Sequence, residues 1–143
     1  MEETTKKYSR NKLHELAMVC LYQFLVYLKV EPKPDLKAII EGTMDQPLSE
    51  VDPLIKQVVV NAVSNFNTII DYLSQNLVND WDFNRLNYLN QAILILGYVE
   101  IKYCKVPKPV AINVCIKLAQ KFSDDDAYKI INGVLDTINI ENE

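Results

Sequence analysis

Glycine is scarce in this chain: Gly42, Gly97 and Gly133 are the whole supply. That excludes a glycine-rich phosphate loop or a G-x-G-x-x-G turn, and it argues against a turn-dense all-β fold. Histidine is scarcer still. With His14 alone, the local sequence suggests no Ser-His-Asp or Cys-His team. Cys20, Cys104 and Cys115 lie far apart and form no C-x-x-C pair, so no four-ligand zinc set is in view. Cys20 and Cys115 fall at core-like helix positions, as small buried thiols suited to a reducing compartment. Asp124, Asp125 and Asp126 lack the spacing of a calcium loop and suit the positive end of a following helix. Arg10 and Arg85 are the only arginines, which removes bidentate phosphate or guanine recognition by several guanidinium groups. No apolar run reaches the ~18 residues of a membrane span, and the charged N-terminus carries no apolar leader. The expectation is a cytoplasmic protein that is not an enzyme, with no cofactor, no metal and no membrane contact.

What the chain does have is helical periodicity. Its 143 residues, 49% hydrophobic and 24% charged, fit one soluble domain with a substantial core. Ser9 is placed to cap a helix reaching about Leu28, with an apolar stripe of Leu13, Leu16, Ala17, Cys20, Leu21, Phe24 and Leu28. Pro32 and Pro34 break it, Asp35 can cap a short helix through Ile40, and Gly42 can end that helix. Ser49 and Asp52 resemble a capping box before a long helix with Pro53 in its first turn, and a bend near 64–67 suits its length. A loop over 79–84 holds Trp81, the single tryptophan. Further helices are expected over 87–102 and 109–122, with a last one after Asp126. The fold class is all-α: six to seven helices in two small packed bundles within one domain over 1–143, divided near 1–80 and 81–143. Gly133 lies inside the last helix, where close approach of another helix would explain it.

The net charge of −4 confines any nucleic-acid contact to a local patch. Arg10, His14, Met18 and Tyr22 stand four apart, which stacks them in one ridge beside the apolar stripe, with Lys6 and Lys7 just before it. Cations hold phosphates, and an aromatic ring offers an unpaired base something to stack on.

Three blocks in the C-terminal half carry a family resemblance. Pro109-Val110-Ala111-Ile112-Asn113, Leu118-Ala119-Gln120-Lys121-Phe122 and Ile131-Asn132-Gly133-Val134-Leu135-Asp136 closely resemble the signature of the NusB family of bacterial transcription antitermination factors. Trp81 with Arg85-Leu86, Ala92-Ile93-Leu94, and Tyr98 with Glu100 resemble the family's central helix. Ser9-Arg10, Lys12, Glu15-Leu16-Ala17 and Leu21-Tyr22-Gln23 resemble its first helix. The resemblance implies two helical subdomains and partnership with NusE, a small-subunit ribosomal protein. It implies joint binding of boxA, a short single-stranded element of nascent RNA, and entry into elongating RNA polymerase complexes to suppress termination. Carried over by position, the RNA contacts are Arg10, Lys12, His14, Tyr22, Asp126 and Lys129.

The departures from the family pattern are local. Asn11 and His14 stand where arginine is usual, and Ile130 where a phenylalanine is usual. Asn90, Gln91 and Ile95 replace Asp, Arg and Arg, and Val114 and Lys117 replace glutamates. Two functions are therefore expected: an RNA-binding antitermination factor, or a protein-interaction scaffold that keeps the NusE contact with weak or lost RNA binding. Some family members form homodimers that hide the RNA face. A NusB-like domain also fronts some RNA methyltransferases, but this chain ends right after the NusB-like region. Asn113, Asn132 and Gly133 are read as structural, the amides bridging helices and the glycine sitting at a tight crossing. Glu100 is expected to answer Arg85 or a helix end.

Overall fold

A computed structural model describes residues 7–77, 81–123 and 126–139. Ser9 caps the first helix, α1 (Arg10–Tyr27), its hydroxyl accepting from the Lys12 amide at 3.1 Å. Asp35 caps α2 (Leu36–Met44) through the Ala38 amide. Gly42 does not end α2. The helix continues to Met44, which is fully buried, and Asp45 stops it in the left-handed conformation at φ 55°.

Residues Leu48–Glu50 form a 3-10 turn, so Ser49 is not the cap of the next helix. Asp52 fills that role alone, accepting from the Leu54 amide ahead of α3 (Pro53–Ser64). The long helix expected from periodicity breaks at Asn65, where φ is −117°, and α4 (Phe66–Gln75) follows. The Asn65 side chain donates to the Asn61 carbonyl at 2.9 Å, which also accepts from the Asn65 backbone amide at 3.1 Å. Phe24 and Phe66 meet edge-on at 5.5 Å, which fastens α4 to α1.

Asn87 caps α5 (Tyr88–Lys102), and every residue from Asn90 to Ile101 is buried. A helix apolar all round belongs at the centre of a fold. Two of its polar members find hydrogen bonds: Gln91 donates to the carbonyls of Phe83 and Leu86, and Asn90 accepts from the Ser123 hydroxyl at 2.8 Å. α6 (Lys108–Phe122) and α7 (Ala127–Asp136) pack on α5 and on each other. α2 and α3 pack on α1, and α1 lies along α5, joining two small bundles in an all-α fold. No helix among the described residues is long and apolar enough to cross a membrane.

The tight crossing is at Gly97, not Gly133. A Cβ on Gly97 would lie 2.5 Å from Leu135 Cδ1 and 3.0 Å from Cys115 Sγ, so α5, α6 and α7 converge there. A Cβ on Gly133 would meet nothing within 4 Å. Gly133, Asn132 and Asn113 are all exposed, and neither amide bridges helices among the described residues. The structural reading of those three positions is thus overturned.

The C-terminus of α5 closes with a left-handed residue. The Val106 amide bonds the Glu100 carbonyl at 2.9 Å, six residues back, with Lys105 at φ 59°. Lys105 lies two residues past the C-cap Tyr103, in the left-handed conformation that glycine adopts without strain and a Cβ does not.

Candidate nucleic-acid interface

α1 is the element that gathers the candidate residues, and its surroundings sort them. Ser9 starts the helix so that Arg10, Asn11 and Lys12 form its exposed first turn, with Lys7 exposed just ahead. Lys6 lies outside the described residues. Lys12 pairs with Glu15 at 3.1 Å, and Glu15 also holds Lys121 of α6 at 3.0 Å. Partial burial works to raise the Glu15 carboxyl. The hydrogen bonds from Lys121 and Lys12 outweigh it and hold the group below its ordinary value.

His14 is corrected. Its side chain is 7% exposed, and Nδ1 stands 2.5 Å from Oε2 of Glu100, itself 1% exposed. Neither carboxylate oxygen has any further partner among the described residues. So Glu100 answers neither Arg85 nor a helix end. It answers His14 across the α1–α5 seam, and His14 is a structural partner, not a phosphate contact. Met18 is corrected too: it is 2% exposed. The ridge of four is a ridge only at its ends, Arg10 and Tyr22, because α6 also packs against α1 and widens the buried arc beyond the apolar stripe.

Two cavities flank α1. One, of about 740 Å³, is largely apolar and lies between α1, the segment 84–89 and the end of α6. Tyr22, at 42% exposure, and Phe122, at 39%, both line it, with Tyr88 also on the wall. The other, of about 950 Å³, lies between the N-terminal half of α1, the turn 104–107 and α6. Arg10 and Asn11 line it with Lys105, Lys117 and Lys121, and His14 contributes an edge. Glu15 belongs to both walls. Asp126 and Lys129 face each other at 3.9 Å at the exposed start of α7 and line neither cavity.

Sequence reasoning missed Phe122, Lys105 and Lys121. Lys117 and Lys121 stand four apart on α6, a spacing that signals a shared face. Lys105 gives no such signal, because its turn carries no glycine. The thiols are quiet: burial pushes Cys20 up to about 11, against a hydrogen bond with Thr43, and burial and then the Glu100 charge raise Cys115 further. Among the described residues no group of His, Cys, Asp and Glu is placed to hold a metal.

Comparison with known proteins gives the chain its family and relates its fold to solved structures. Residues 11–139 match the sequence profile of the NusB family. A transcription antitermination protein NusB from Pediococcus pentosaceus is 33% identical over 132 residues, spanning 91% of this chain and 96% of that protein. Among solved structures, T. maritima NusB superposes with a TM-score of 0.77 at 22% identity, over 92% of this chain and 90% of that one. A structure of the antitermination factors NusB and NusE in complex with dsRNA superposes with a TM-score of 0.73 at 21% identity, over 89% and 92%.

Proposed function

Because this chain belongs to the NusB family, we propose that it is an RNA-binding transcription antitermination factor. It binds boxA-type single-stranded RNA jointly with the ribosomal protein NusE, and the pair joins the elongating RNA polymerase. The observation that carries the RNA step is the pair of half-exposed rings, Tyr22 and Phe122, on the walls of one apolar cavity. An apolar cavity lined by exposed rings suits an unpaired base, which a duplex would not present. Arg10 and Lys7 are exposed ahead of the cavity for phosphate contacts, with Lys129 as an outlying cation on α7. Lys12 is half engaged by Glu15, and Asp126 offers a hydrogen-bond acceptor.

A scaffold that keeps NusE and binds RNA weakly is the second reading. The burial of His14 favours it, since one expected phosphate contact is withdrawn into the core.

Titration of boxA-type RNA against the protein with and without NusE separates the two. Tyr22→Ala should cost ~1–3 kcal/mol of RNA affinity, and Tyr22→Phe little, because stacking needs the ring and not the hydroxyl. The melting temperature of both variants should stay close to that of the parent. Binding of RNA no tighter than a scrambled or duplex control, in the presence of NusE, supports the scaffold. A Tyr22→Ala protein that melts several degrees lower yet binds RNA like the parent makes the ring mere packing.

A further inference from the structure

The RNA reading uses the apolar cavity and leaves the larger groove without a task. That groove concentrates charge on an acidic chain. Arg10, Lys105 and Lys117 line it, and none has an anionic partner among the described residues. The half-buried carboxylate on its wall, Glu15, is already engaged by Lys12 and Lys121. Three uncompensated cations in one concave surface, on a protein of net charge −4, focus a local positive potential.

Lys105 is the telling member. It holds the left-handed conformation that ends α5, at φ 59°, where glycine would be unstrained. Its side chain makes no hydrogen bond or ion pair among the described residues. A strained lysine that returns nothing to the fold indicates use of its side chain outside the fold. The groove also adjoins the apolar cavity: Glu15 lines both, and its ion pair with Lys121 stands where they meet.

We propose that this groove is a second segment of the RNA site, in which Lys105 and Lys117 hold the phosphodiester backbone of the same strand whose base enters the Tyr22 cavity. The proposal rests on the RNA reading above and extends it from α1 onto α6 and the α5–α6 turn. Adjacency to a cavity lined by Tyr22 and Phe122 favours a nucleic-acid backbone over an acidic peptide.

The test uses the full chain with NusE and a boxA-type single-stranded RNA, titrated across a salt series, with a melt of each variant. Lys105→Gly should raise Tm by about 2 °C, by relieving the left-handed strain. The same change should weaken RNA binding. Each lost phosphate contact removes about 0.7 from the slope of log K against log salt, or about fivefold in affinity near 0.1 M. Lys117→Gln should weaken RNA equally with no change in Tm. A purely structural Lys105 would not give a more stable protein that binds less well. If both variants bind RNA with the parent's affinity and slope while Tyr22→Ala is weakened, the groove proposal fails and the RNA reading stands. If the parent itself binds no RNA with NusE, both fail. If Lys117→Gln loses affinity for NusE without RNA present, the groove is a protein contact and the proposal is overturned.

Discussion

α5 and α1 are neighbours built on opposite plans. α5 is buried from Asn90 to Ile101, and its polar side chains find partners inside the protein. α1 buries one broad arc and leaves Arg10, Asn11, Tyr22, Val26 and Tyr27 in solvent. α5 is therefore specified by packing, and its sequence is constrained on every side. The outer face of α1 is free of that constraint, so its residues can be chosen for a ligand. The departures from the family pattern at Asn11 and His14 fall on both plans at once: Asn11 is exposed, and His14 has joined the α5 side.

The sharpest way to break that contrast is at the buried His14–Glu100 contact between the two helices. Glu100→Ala leaves the His14 imidazole without a partner inside the α1–α5 seam. Removing one member of a buried pair costs ~3–5 kcal/mol, which in a domain of this size lowers Tm by roughly 10 °C or more. Glu100→Gln keeps the volume and should lose less. A thermal melt decides it. A loss under ~1 kcal/mol for Glu100→Ala would put the pair in the same class as an exposed ion pair, and α5 would not be the strictly packed helix described above.

Two glycines extend the comparison. Gly97→Ala on α5 drives a methyl group toward Leu135 and Cys115, and overpacking of this kind costs ~1–3 kcal/mol. Gly133→Ala on α7 meets open space, so it should stabilise by ~1 kcal/mol through helix propensity. Opposite shifts in denaturant midpoint are expected. If Gly133→Ala gains that stability and loses NusE or RNA binding, the exposed glycine serves a partner.

Those positions also show how far local sequence reaches. Caps at Ser9 and Asp35 and the apolar stripe of α1 were legible because each depends on residues a few places apart. The burial of His14 and Met18 was not. Periodicity locates the centre of a buried arc, while its width depends on how many helices pack against it, and α1 meets α2, α3, α5 and α6. Gly97 and Gly133 were confused for the same reason: a glycine marks freedom from a side chain without saying whether a neighbour occupies the space. Of the candidate site, Tyr22 and Arg10 were found from spacing. Lys105 was hidden because the left-handed turn that presents it carries lysine where glycine would have announced it.

The smallest effect belongs to the exposed side of α1. Glu15 ties α1 to α6 through Lys121 and braces the first turn through Lys12. Its carboxyl is held below the ordinary value in the folded protein. A group lowered by folding binds its proton more readily in the unfolded chain, so its contribution is present above the unfolded value near pH 4.5 and is lost as pH falls through the folded one. Partly exposed pairs of this type contribute under ~1 kcal/mol. Lys121→Ala should therefore lower Tm by only about 1–3 °C at pH 7, and that difference should shrink toward zero as pH falls from 4.5 through the lower folded value, once Glu15 is neutral in both proteins. Melts of parent and variant over a pH series read this directly. A Tm difference that persists unchanged in acid would mean that Lys121 acts through its stem, packed near Phe122, whose ring lies 5.1 Å from its ammonium, and not through the Glu15 carboxylate.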